Sequence, residues 1–166
     1  VTNADDLTAD FDSHHIEGYA VTGDYVHFSV PLVSHIVGNL WTGGCIDGVR
    51  LSDDYVYVLS LYPWQRYKLG PSTKRFTHAM NDVGDQVLDR GELETLADFV
   101  IQCTSKGKTL VHCQAGLNRS ALVAGLALVI SKVATADEAI GLLRERRAKQ
   151  VLCNPAFERW LREYEP

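Results

Sequence analysis

Residues 112 to 120 read His112-Cys113-Gln114-Ala115-Gly116-Leu117-Asn118-Arg119-Ser120, so a thiol and a guanidinium are separated by five residues that include a glycine. A thiolate is a strong nucleophile, and the planar fork of an arginine can hold two oxygens of one phosphate, which a lysine cannot. Gly116 permits a backbone turn that a Cβ would obstruct. Ser120 brings a hydroxyl near the sulfur, where it could stabilise a departing thiolate. The chemistry open to this set is covalent: phosphoryl transfer to sulfur, then to water. A buried structural thiol is the commoner role of a free cysteine. It loses here because the flanking elements stand where an anion site needs them.

Those elements are a strand and a helix. Lys108-Thr109-Leu110-Val111 is an apolar, strand-like run, and a long apolar helix opens at Ser120. Strand, tight loop and helix N-terminus make backbone N–H groups converge on an anion, with the positive end of the helix dipole behind them. The same dipole and Arg119 favour thiolate over thiol at Cys113. Further strands are predicted at 25–30, 36–41, 55–61 and 75–79. A helix over 90–104 carries Leu93, Leu96, Ala97, Val100 and Ile101 on one face, and Asp89 with Glu92 forms a capping-box signal before it. The helix over 120–132 has almost no polar face and should be the buried central one. Thr135 with Glu138 opens a helix to about 147, and Asn154 with Pro155 opens a last one lined by Phe157, Trp160, Leu161 and Tyr164. Residues 1–22 are polar and expected to form an irregular arm or cap, leaving 23–166 as one domain. Strands alternating with helices predict an α/β fold: a central, mostly parallel sheet flanked by helices, with the functional loop at the carboxyl end of a strand.

The loop resembles the His-Cys-x-x-Gly-x-x-Arg-Ser signature of the protein tyrosine phosphatase superfamily. The chain from about 35 to 165 looks like its compact dual-specificity branch. Val37-Gly38-Asn39-Leu40-Trp41-Thr42-Gly43-Gly44 is similar to that branch's first strand and turn, and Tyr55-Val56-Tyr57-Val58-Leu59-Ser60-Leu61 to its next buried strand. Arg146-Arg147 and Asn154-Pro155-Ala156-Phe157 resemble its closing helices. The resemblance implies a cysteinyl-phosphate mechanism without metal or cofactor. Cys113 would be the nucleophile, and Arg119 with the loop N–H groups of Gln114, Ala115, Gly116, Leu117 and Asn118 would bind phosphate oxygens. Ser120 would assist the sulfur's departure, and His112 would orient the loop. Loss of an oxygen leaving group needs a proton donor. Asp82, 31 residues before Cys113 on the loop after a predicted strand, matches the family's general acid; Asp85 is the runner-up on the same loop, and Asp89 is better used as a cap.

Composition narrows the substrate. The 166 residues carry a formal charge of −5 and 46% hydrophobic content, enough for one core without an electrostatic footprint for nucleic acid or an acidic membrane. The apolar run 121–130 is shorter than the ~18–20 residues that span a bilayer. The first residues form no basic-then-apolar leader, and a nucleophilic thiol belongs in a reducing compartment, so the cytoplasm is expected. Cys45, Cys103, Cys113 and Cys153 lack metal-ligand spacing, and an oxidised pair of Cys113 with Cys45 or Cys153 is conceivable. The basic cluster Arg144, Arg146, Arg147 and Lys149 reads as solvated helix surface, with a second anion as its functional alternative. Phosphotyrosine and phosphoserine/threonine proteins are the expected substrates. Leu117-Asn118-Arg119 resembles RNA 5′-triphosphatase relatives, which keeps triphosphate-ended RNA as an alternative. A non-catalytic phosphoprotein-binding module is a further one.

Overall fold

The computed structural model describes residues 14–21 and 25–166. Strands β1 (His15–Val21) and β2 (Tyr25–Pro31) pair antiparallel as a separate two-stranded hairpin. The main sheet follows, built from β3 (Val33–Val37), β4 (Leu40–Gly43), β5 (Tyr57–Ser60), β6 (Lys74–Thr77) and β7 (Thr109–His112). Its order is β3-β4-β7-β5-β6, with only the β3–β4 pair antiparallel. β7 therefore lies in the middle, hydrogen-bonded on both sides, and all four of its residues are buried. Its last residue, His112, is in register with Gly43 of β4 and Ser60 of β5. The loop that carries Cys113 thus leaves the most constrained strand of the sheet, as the α/β expectation requires.

Side chains alternate across the sheet. Val111 and Leu59 join a large core shared with the helices α1 (Arg90–Thr104), α2 (Arg119–Ile130), α3 (Ala136–Arg146) and α4 (Pro155–Glu163). Leu110 and Val58 point the other way, into a smaller core with Leu32, Leu51, Tyr55 and Tyr67. α2 is buried from Arg119 through Val129 because α1, α3 and α4 surround it, which accounts for its missing polar face. Gly125 is needed there: a Cβ would lie 2.8 Å from Leu161 Cδ2.

The helix starts follow their caps. Asp89 accepts from Glu92 N at 2.7 Å, Thr135 and Glu138 form the reciprocal box, and Asn154 accepts from Ala156 N at 3.0 Å. The Asp89 box is only half made, because the Glu92 carboxylate bonds His78 instead.

Two expectations change. The strand predicted over 36–41 is two strands, with Gly38 in the left-handed region (φ 54°) at the turn between them. The arm or cap expected over 1–22 is not irregular throughout. Residues 1–13 and 22 lie outside the described residues, whereas 15–21 form β1, with half-buried Ile16, Gly18 and Ala20 alternating with exposed His15, Glu17 and Tyr19. The hairpin thus begins before residue 23, and Phe28 and Val30 of β2 reach the large core.

Candidate active site

The loop after β7 is shaped by where its carbonyls go. Cys113 O accepts from His112 Nδ1 at 3.1 Å and from the Cys45 thiol at 3.3 Å. Gln114 O accepts from Cys45 N, Ala115 O and Gly116 O from Arg147, and Leu117 O from Leu152 N. Five consecutive carbonyls are therefore held from outside. In a planar trans peptide the N–H of the next residue points opposite its carbonyl, so the N–H groups of residues 114–118 turn inward. Gly116 makes the turn possible, with φ +73° and a position where a Cβ would lie 2.3 Å from Gly43 C. Gly44 matters similarly, since a Cβ there would lie 2.6 Å from Gln114 O.

The sulfur lies on the floor of this cradle. Gly116 N–H donates to Cys113 Sγ at 3.2 Å, and Ser120 Oγ lies 3.4 Å from it. Both residues are buried at the N-terminus of α2. Arg119 is anchored by Nη1 donating to Met80 O at 3.1 Å, with its guanidinium over the Tyr62 ring at 5.2 Å. Its buried Nε has no hydrogen-bond partner among the described residues, which leaves a cationic donor beside the cradle.

His112 is buried, and burial pulls its pKa down from 6.5 to about 4, so it is neutral at physiological pH. A carbonyl can only accept, so Nδ1 carries the proton given to Cys113 O, and Nε2 accepts from Tyr67 Oη at 2.6 Å. Burial pushes the Tyr67 phenol up, which keeps it a donor. His112 thus links Tyr67 to the first carbonyl of the loop. Its partner Tyr67 carries no signal in the sequence.

Asp82 is half-buried on the pocket wall. Its Oδ1 accepts from Asn154 Nδ2 at 2.8 Å and its Oδ2 from Asn118 Nδ2 at 3.1 Å. Asn154 also donates to Val83 O while capping α4, and Asn118 Oδ1 accepts from Asn154 N. This explains why Asn118, at the N-cap position of α2, makes no side-chain cap bond. The Asn118 side chain holds Asp82 and α4. Asp85 is exposed.

Arg147 departs most from expectation. It is no surface cation: Nε donates to Gly116 O at 2.6 Å, Nη2 to Ala115 O at 2.8 Å, and Nη1 to Pro31 O at 2.9 Å and Ser34 Oγ at 3.1 Å. Burial pulls its pKa down to about 10, opposed by the charge of Cys113, so it stays cationic at neutral pH. A second anion therefore has no claim on it. Arg144 is also occupied, by Val151 O and Glu158. Cys45, Cys103 and Cys113 are unbridged thiols; Cys45 lies behind the loop with its thiol pushed up to about 12 by burial, and Cys153 bonds Asn118. A cavity of about 430 Å³ opens over Cys113, lined by Gln114, Ala115, Leu117, Asn118 and Arg119 on the floor and by Gln65 and Asp82 at the side.

The sequence model of the dual specificity phosphatase catalytic domain matches residues 57–166, about two thirds of the chain. The chain belongs to the dual-specificity phosphatase family. Solved structures with the same fold include human DUSP28, with a TM-score of 0.65 at 18% identity over 81% of this chain and 93% of that one. The human tyrosine phosphatase-like serine/threonine/tyrosine-interacting protein gives 0.62 at 16% over 80% and 94%. OH1 from the Orf virus, a tyrosine phosphatase of triple substrate specificity, gives 0.56 at 18% over 78% and 83%. No curated protein matches by sequence. In this dual-specificity phosphatase domain the matched segment contains Asp82, the loop of Cys113, Arg147 and Asn154, whereas the β1–β2 hairpin lies outside it.

Proposed function

We propose that this domain hydrolyses phosphotyrosine and phosphoserine/threonine monoesters in proteins through a cysteinyl-phosphate intermediate. The observation that carries the reading is the cradle itself: five carbonyls tied back, their N–H partners turned in, and the Cys113 sulfur on its floor beside Arg119. Preaimed donors of this kind commonly supply the largest catalytic term.

In the first step Cys113 thiolate attacks phosphorus, the P–O bond to the ester breaks, and Asp82 delivers its proton to the departing oxygen. The two asparagine amides occupy one lone pair on each Asp82 oxygen, leaving another for that proton. General acid assistance is typically worth ~10²–10⁴-fold. In the second step Asp82, now a carboxylate, takes a proton from the attacking water. The S–P bond breaks, and Ser120 donates to the leaving thiolate. Arg119 and the inward N–H groups hold the equatorial oxygens in both steps. His112 and Arg147 touch no reacting atom and act by fixing the loop.

The RNA 5′-triphosphatase alternative rests on the run Leu117-Asn118-Arg119; within it the Asn118 side chain is engaged with Asp82 and Asn154, which favours the phosphoprotein reading. The reducing cytoplasm is the compartment that suits this thiol. The test is hydrolysis of p-nitrophenyl phosphate by the purified domain. The reading expects turnover blocked by vanadate and unaffected by chelator. Absence of turnover between pH 5 and 8 would leave a phosphate-binding module.

A further inference from the structure

We propose that the β1–β2 hairpin is the specificity wall of the site, its small apolar face receiving the flat ring of an aryl phosphate. The inference rests on the phosphatase reading above and names the ester group that the site prefers.

Besides the cradle, the cavity over Cys113 is bounded by Ile16, Glu17, Gly18, Tyr19, Ala20 and Phe28, all from the hairpin. The cradle takes the phosphate, so the hairpin meets whatever the phosphate is esterified to. Strand alternation turns Ile16, Gly18 and Ala20 to the half-buried side. Gly18 is paired in register with Phe28, and a Cβ on it would lie 3.2 Å from the tip of that ring. The phenyl group thus lies against bare backbone, and the wall is low and apolar at Gly18 and Ala20, while the exposed Glu17 on the alternate face bonds His27. Tyr19, two-thirds exposed, stands at its edge with its ring at right-angle-like contact (63°) to His27. Across the cavity the lining is polar, from Gln65, Asp82 and Arg119.

The wall is rigidly tied to the cradle. Arg147 bonds Pro31 O at the end of β2 and Gly116 O of the loop with the same guanidinium. Leu32 N donates to His14 O at 2.6 Å, and Gln150 donates to His27 O. Phe28 and Val30 are anchored in the large core. An aryl ring standing on the phosphate would cover this wall and gain dispersion contacts. The one- or two-carbon arm of phosphoserine or phosphothreonine is too short to do so.

The experiment compares a phosphotyrosine peptide with the same peptide carrying phosphothreonine. Ala20→Leu fills the wall and should raise KM for the phosphotyrosine peptide about tenfold. KM for the phosphothreonine peptide and inhibition by inorganic phosphate should stay within about twofold of wild type, which reports an intact cradle. Tyr19→Ala removes an exposed ring without a folding hazard and should raise the phosphotyrosine KM about threefold, leaving the other two readings unchanged. Equal losses on both peptides, or no loss on either, in Tyr19→Ala would overturn the proposal even if Ala20→Leu disturbs the cradle. A wild-type protein that hydrolyses neither peptide would instead overturn the phosphatase reading.

Discussion

Replacing Arg147 by methionine tests whether the nucleophile loop owes its shape to a buried guanidinium. The substitution removes four hydrogen bonds and leaves the carbonyls of Pro31, Ala115 and Gly116 without these donors. Each buried acceptor so orphaned costs roughly 1–3 kcal/mol. Part of that is offset, because the guanidinium itself is held in burial strong enough to pull its pKa to about 10. The net loss should be ~2–3 kcal/mol of stability, read by urea unfolding. The effect on catalysis should be larger than stability implies. Releasing Ala115 O and Gly116 O lets two peptide planes rotate, and with them the N–H groups of Gly116 and Leu117. Misplacing one such donor in an oxyanion site costs about 10²–10³-fold. We expect kcat/KM for p-nitrophenyl phosphate to fall at least about 10²-fold with a parallel loss of vanadate affinity. Arg147→Lys keeps the charge but cannot reach both carbonyls with a planar fork, so it should recover little. If folded Arg147→Met kept kcat/KM within about threefold, the argument that this side chain shapes the cradle would fail.

Asp82→Asn should slow alkyl phosphates more than aryl ones, because phenolate leaves with less protonation; steady-state kinetics on the two classes checks this, and equal losses would assign Asp82 a structural role. Asn154→Ala should cost about 1 kcal/mol through loss of the α4 cap and lower kcat about tenfold through loss of the Asp82 clamp. Asn154→Ser, which restores a capping oxygen but not the amide donor, should recover the stability and not the rate. His112 predicts a pH dependence. Its folded pKa lies near 4, below the usual 6.5, so the unfolded chain binds a proton first as pH falls. Its contribution is fully present above 6.5 and lost between 6.5 and 4, by ~3 kcal/mol in all. Urea unfolding across that range should therefore show a shallower slope for His112→Asn than for wild type; identical slopes would refute the burial argument.

The nucleophile loop and the helix caps were legible in the sequence because each depends on local chemistry. A strand, a glycine-bearing turn and a helix dipole gather within nine residues of Cys113, and Asp89, Thr135 and Asn154 cap the helices that follow them. The strand predicted over 36–41 runs through Gly38-Asn39, a dipeptide that signals a two-residue hairpin. The hairpin strand at 15–21 was hidden by its polar face and by Gly18, whose missing side chain is supplied by Phe28 across the pair. Arg147 looked like one more member of a basic helix end. What makes it different is tertiary: its side chain turns inward to carbonyls at 31, 115 and 116. Asn154 was visible as a cap but not as a partner of Asp82, because that contact spans 72 residues. Signals of such range are absent from local pattern.

The most direct measurement is a rapid acid quench during turnover of a phosphorylated substrate, followed by mass analysis of the cleaved protein. The account predicts a phosphoryl group on the peptide containing Cys113, accumulating further in Asp82→Asn with an aryl substrate and absent in Cys113→Ser. Turnover that proceeds with no protein-bound phosphate, or with phosphate on any other residue, would contradict it.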